Sequence, residues 1–139
     1  MNTDRIFLDA NILFSVAYGS CGLDSLWELH KKGVCVLLAS GYVIEEAKRN
    51  LTKPDQLKKF EVSLLNVKIV LEADPGIKCP IDLSEKDQPV LMAAISAKAD
   101  YLLTGDIKHF GKYFGQRIMG VRICMARDYI FAYFAYFES

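Results

Sequence analysis

Residues 34–39 read Val-Cys-Val-Leu-Leu-Ala, an unbroken apolar run of strand length. A strand with one wet face alternates apolar and polar residues, so a continuous run marks a strand covered on both faces. Helical patterns flank it. Before it, residues 25–32 put Leu26, Leu29 and Trp27 on one face, with Asp24 as the expected cap and Gly33 as terminator. After it, residues 40–51 carry the stripe Val43, Ile44, Ala47 and Leu51.

The same alternation continues along the chain. Residues 5–8, 67–71, 101–103 and 121–125 have strand character, and the apolar residues 12–16 follow the polar break Asp9-Ala10-Asn11. A helix is expected over residues 55–66. Another opens at Ser84-Glu85-Lys86-Asp87, with Ser84 as cap and Pro89 tolerated near its start. A helix is expected from Asp106 towards Phe114, and a last one over residues 129–137, capped by Asp128. Strands alternating with helices predict an α/β fold, a parallel sheet with helices on both faces. No repeat, linker or low-complexity segment divides the chain, so residues 1–139 are expected to form one domain.

Composition excludes several classes. An apolar fraction of 52% and 16 aromatics among 139 residues exclude a disordered or fibrous chain. No apolar run has the roughly 18–20 residues of a membrane span, and the start Met-Asn-Thr-Asp-Arg lacks the order of a signal peptide. Cys21, Cys35, Cys79 and Cys124 lie far apart, without a C-x-x-C pair, and are expected to be idle thiols in a cytoplasmic protein.

Four acids carry the chemistry. Asp9 follows the first strand directly, and Asp106 follows residues 101–103 after a Thr-Gly turn. In open parallel sheets, ligands bind beyond the carboxyl ends of the strands, where strand order reverses. Asp87 in the first turn of its helix and Glu46 beside its apolar stripe can point into the same space. Singly, each has a structural explanation: turn former, helix cap, N-terminal helix charge or solvated side chain. Glu45 competes with Glu46, although at about 100° per residue Glu46 falls nearer the stripe. Like charges gathered within a few Å raise one another's pKa, and a hard divalent cation such as Mg²⁺ or Mn²⁺ relieves this. With only His30 and His109 present, neither a zinc cluster nor a Ser-His-Asp set is available. Metal-assisted phosphodiester hydrolysis is the chemistry these residues fit.

These residues resemble a family. Ile6-Phe7-Leu8-Asp9-Ala10-Asn11-Ile12-Leu13 is similar to the opening motif of PIN-domain nucleases, and residues 40–47, with Glu46, resemble the second. Ser84 to Asp87 with residues 90–94 resembles the third, and residues 99–110, containing Thr104-Gly105-Asp106, resemble the fourth and most specific. The resemblance spans roughly residues 6–134 and implies a PIN-like three-layer α/β/α sandwich with a central, mainly parallel β-sheet. It further implies a Mg²⁺- or Mn²⁺-dependent endoribonuclease in which activated water attacks the scissile phosphate and leaves a 5′-phosphate. Asp9, Glu46, Asp87 and Asp106 are then the catalytic and metal-binding acids, supported by Asn11 and Thr104. Stand-alone prokaryotic PIN proteins include VapC-type toxins held inactive by an antitoxin protein, and PIN domains commonly form homodimers. Many of these toxins have Asn where Asp106 stands and a further Asp three residues on. Here that later position is His109, for which a surface or helix-end role is expected.

Two further features bear on partners. The 17 basic and 17 acidic residues cancel, which as a total argues against a grip on nucleic acid. Their distribution leans the other way. Residues 107–127 hold Lys108, Lys112, Arg117, Arg122 and Arg127 without an acid, and residues 48–59 hold five bases against Asp55 alone. Lys48, Arg49, Lys108 and Lys112 are the expected RNA contacts. Six aromatics crowd residues 129–137, more than one helix face can bury. Either the surplus is singly exposed on the surface or, the reading favoured because PIN domains commonly dimerise, it meets a second subunit or an antitoxin segment. The alternatives are a non-toxin RNA-processing PIN nuclease, a catalytically weak RNA-binding PIN module, or a phosphoacceptor or phosphatase domain. The last would need a lysine at a later strand end, and none sits there convincingly.

Overall fold

A computed structural model describes residues 3–138, and the side chains of all of these but 21 and 135–138. Six strands form one sheet: β1 (Asp4–Leu8), β2 (Cys35–Ser40), β3 (Val67–Val70), β4 (Tyr101–Leu103), β5 (Arg117–Ile118) and β6 (Val121–Cys124). Their order is β3-β2-β1-β4-β6-β5, parallel throughout except for the β5–β6 pair. The helices are α1 (Ala10–Tyr18), α2 (Asp24–Lys31), α3 (Gly41–Arg49), α4 (Pro54–Leu64), α5 (Gln88–Ser96), α6 (Ile107–Phe110) and α7 (Ala126–Glu138).

The apolar run at residues 34–39 supplies a strand covered on both faces. Leu37, Leu38 and Ala39 of β2 are all 0% exposed, as are Ile6, Phe7 and Leu8 of β1. Successive strand residues point to opposite faces, so both faces of the sheet centre are covered. Helix α1 packs against α3 and α4, and α3 against α5, while α2 packs against α7. The result is the expected α/β sandwich. Phe7 lies at the centre of this core, and truncating so large a buried ring costs about 3–5 kcal/mol.

Local chemistry corrects several boundaries. The apolar residues 12–16 belong to α1, which starts at Ala10 with no intervening loop because the Asp9 side chain caps it, accepting from the Ala10 N–H. Ser84 does not cap α5. The helix begins at Gln88 with Asp87 as its N-cap residue, and the Ser84 hydroxyl donates to the Asp87 carboxylate at 2.6 Å instead. Asp24 and Asp128 lie in the first turns of α2 and α7 and do not cap them. The helix after Asp106 is one turn of α-helix followed by a 3₁₀ turn over Gly111–Tyr113. The two-residue strand β5 is too short to leave a period in the sequence; its hairpin to β6 turns through Met119 and Gly120, both at positive φ.

Tyr129 of α7 is buried, stacks edge-on against Tyr101 and donates to Asp4 Oδ2 at 2.7 Å. Tyr133 and Phe134 are half-buried, and Phe131 is 69% exposed. The side chains of Tyr136 and Phe137 lie outside the described residues, as does that of Cys21. Cys35 and Cys124 are buried free thiols, and Cys79 is half-buried and free. Among the described residues, no helix is long and apolar enough to cross a membrane.

Candidate metal centre

The chain leaves β1 towards β2 and β3 on one side, then crosses back to place β4 on the other side of β1. The strand order therefore reverses between β1 and β4, the position where parallel sheets open a crevice at their carboxyl ends. Leu8 pairs with Leu103 in the last registered rung, so the next residues out are Asp9 and Thr104. Asp106 follows two residues later as the N-cap of α6. Helix α3, following β2, brings Glu46, and the N-terminus of α5 brings Asp87. All four acids line one open pocket of about 370 Å³, together with Asn11, Phe14 and Lys86.

A closed hydrogen-bond circuit fixes the β1–β4 side of this pocket. The Thr104 hydroxyl donates to Asp9 Oδ2 at 2.8 Å and accepts from the Asp106 N–H at 3.0 Å and from Asn11 Nδ2 at 3.2 Å. Its single proton and both lone pairs are thus engaged. Asn11 Nδ2 also donates to Asp9 Oδ2 at 3.2 Å, and its carbonyl accepts from the Gly105 N–H at 2.7 Å. Asn11 and Thr104 therefore tie the Asp9 carboxylate to the turn that carries Asp106.

The acids sit in different electrostatic surroundings. Asp9 is 5% exposed. Burial pushes its carboxyl up to about 6, against the bonds from Thr104 and Ala10, with the charges of Glu46 and Asp87 adding to the rise. Asp106 is more open. Burial, the largest single influence, raises it, but the hydrogen bonds from the His109 ring and backbone, with the nearby positive charges, together outweigh this and hold it below its ordinary value. Carboxylates raised by burial and by one another are stabilised by a bound cation, and an oxygen-rich set beside open space suits a hard divalent ion. The residues present fit such a group.

Glu46 is half-buried in the acid pocket, whereas Glu45 is exposed and lines a separate groove of about 760 Å³ with Tyr42, Arg49, Ile77 and Met92. Among the expected RNA contacts, Lys48, Arg49, Lys108 and Lys112 are all exposed and none lines the acid pocket. The Lys112 ammonium sits 5.1 Å over the Tyr113 ring.

Three residues near the acids were not anticipated in these roles. Lys86 lines the pocket, a place that its position in a helix-opening motif does not signal. The Tyr42 hydroxyl donates to the Lys86 carbonyl at 2.8 Å, joining α3 to the segment before Asp87. Burial and the charges of Glu46 and Asp87 raise the Tyr42 phenol. His109 sits in the last turn of α6, partly exposed as expected, but its ring also reaches the acids: Nδ1 lies 2.7 Å from Asp106 Oδ2 and 3.7 Å from Asp87 Oδ2. The i,i+3 spacing puts Asp106 and His109 on one face of the α6 turn, the only available signal of this pairing.

Two solved structures share this architecture. VapBC2 from Rickettsia felis, bound to a DNA fragment from its promoter, is similar with a TM-score of 0.61 at 18% identity, over 86% of this chain and 96% of that one. VapC20 from Mycobacterium tuberculosis, a sarcin-ricin loop cleaving toxin, gives 0.51 at 12% identity, over 74% and 91%. At these identities the likeness is one of fold. No curated protein sequence matches the chain. The PIN domain profile matches residues 5–108, a span containing Asp9, Glu46, Asp87 and Asp106, and the chain belongs to the PIN domain family of nucleases.

Proposed function

We propose that this protein is a divalent-metal-dependent endoribonuclease, with Asp9, Glu46, Asp87 and Asp106 as its acidic centre, and that it is the toxin of a toxin–antitoxin pair. The observation that carries the reading is the convergence of the four acids in one open pocket at the strand-order reversal. Mg²⁺ or Mn²⁺ held there supplies an acidified water and electrostatic relief for charge growing on a phosphoryl oxygen. The chain's own residues do the rest. Asn11 and Thr104 hold the Asp9 carboxylate still, and Lys86 gives the pocket a positive edge for the phosphate. The basic stretches at residues 48–59 and 107–127 attract the strand beyond the pocket. The toxin assignment rests on the shared fold with VapBC2 and VapC20, and it implies a cytoplasmic protein that pairs with an antitoxin.

The test is cleavage of structured and single-stranded RNA by wild type, Asp9→Asn and Asp106→Asn, with Mg²⁺, Mn²⁺ or EDTA. Metal-dependent cutting by wild type that both substitutions abolish supports the centre. Cutting that survives both overturns it, and RNA binding without cutting in all three assigns a binding module instead. Induced expression in a bacterial host separates the two nuclease readings: growth arrest by wild type but not by Asp9→Asn supports a toxin, and unaffected growth supports RNA processing.

A further inference from the structure

The position of His109 extends the metal reading above and rests on it. His109, Asp87 and Asp106 form a group in which one potential ligand atom from each lies within 4.8 Å of the others. Donors bound to one cation at about 2.0–2.2 Å lie roughly 2.9–4.4 Å apart, from adjacent to opposite positions. The observed separations of 2.7 and 3.7 Å from Nδ1 to the two carboxylate oxygens match that range after a shift of a few tenths of an ångström. Each side chain is also held by its own element. Ser84 fixes Asp87 Oδ2 through its hydroxyl at 2.6 Å, while the His109 N–H fixes Asp106 Oδ1 at 3.1 Å. The ring nitrogen thus lies beside both carboxylates, within reach of a cation that they would share.

We infer that His109 Nδ1 is a nitrogen ligand of a cation shared with Asp87 and Asp106, and that this donor makes the centre prefer Mn²⁺ to Mg²⁺. Mg²⁺ takes oxygen donors and dehydrates reluctantly, whereas transition ions accept imidazole readily. The proton now joining Nδ1 to Asp106 gives way to the cation, and the ring carries its proton on Nε2. Asp9, engaged by Thr104, Asn11 and Ala10, is not one of these three ligands.

The test uses untagged full-length protein, with Mn²⁺ and Mg²⁺ as probes. Calorimetry gives the two affinities, and pulsed electron paramagnetic resonance of the Mn²⁺-loaded protein detects ¹⁴N coupling to the metal. Wild type is expected to show imidazole coupling that His109→Asn removes, with Mn²⁺ affinity falling about tenfold or more and Mg²⁺ affinity changing less than about threefold. Asparagine keeps a hydrogen-bond donor for Asp106 but lacks the ring nitrogen, so a merely steadying role leaves the Mn²⁺ affinity in place. Mn²⁺ bound by wild type without ¹⁴N coupling overturns the inference even if His109→Asn does not fold. Coupling that survives in His109→Asn also overturns it, because His30 is the only other histidine. If either result accompanies metal-dependent RNA cleavage, the ribonuclease reading stands without the nitrogen ligand. Absence of both Mn²⁺ binding and cleavage removes both.

Discussion

Asp9 and Asp106 follow neighbouring parallel strands and line one pocket, yet the fold treats them in opposite ways. Asp9 is pulled into the sandwich as the cap of α1, and burial raises its carboxyl to about 6. Asp106 stands on the one-turn helix α6, nearer solvent, and His109 lowers it. The fold therefore bears a cost to ionise the first acid and gains slightly from ionising the second. Strand-end carboxylates are not equivalent parts of a site; each inherits its character from the element that follows the strand.

Substituting the two acids should expose this difference most sharply. Asp9→Asn and Asp106→Asn should each lower RNA cleavage by about a hundredfold to a thousandfold or more. Their stabilities should move in opposite directions. In EDTA at pH 8, removing the buried charge of Asp9 relieves up to about 3 kcal/mol for a rise of roughly two pKa units. An amide cannot accept from both Ala10 and Thr104 through its single oxygen, which returns about 1 kcal/mol. A net gain of several degrees in Tm is expected by calorimetry. A loss of Tm in Asp9→Asn would break the comparison.

The pH dependence follows the same signs. A carboxyl raised from 3.8 to about 6 binds more protons folded than unfolded between those values. Wild-type stability in EDTA should therefore fall as pH rises through that window, and denaturant midpoints should show a slope that Asp9→Asn removes. The lowered carboxyl of Asp106 works the other way, stabilising the fold above its unfolded pKa and losing that contribution in acid.

Thr104 tests the link between the two acids. Thr104→Val leaves Asp9 Oδ2 and the Asp106 N–H without their shared partner, at a cost of about 1–3 kcal/mol in urea unfolding, and Thr104→Ser should recover most of it. The smallest effect belongs to Asp106→Asn at neutral pH. Its side chain is 23% exposed, so the lost interaction with His109 should lower stability by about 0.5 kcal/mol.

Much of this was legible in the chain, for local reasons. Asp9 and Asp106 were readable because strand-end position is itself a chemical statement in a parallel sheet. Helical phase favoured Glu46 over Glu45, and the fold puts the two in different cavities. Lys86 and Tyr42 were not legible, because their positions depend on α3 approaching the segment before α5, elements some forty residues apart. His109 was hidden differently: its i,i+3 spacing from Asp106 gains meaning only once Asp87 is found near the same ring nitrogen.

The sequence by itself determined the alternation of strands and helices, and with it a sheet covered on both faces with acids at its carboxyl edge. Apolar periodicity and capping act over a few residues, so the chain states them directly. The tertiary structure decided which carboxylate would be desolvated, which would be paired with an imidazole, and where the ring nitrogen would lie. Those outcomes follow from distances between elements far apart in the chain, and charge interactions depend on such distances and on burial.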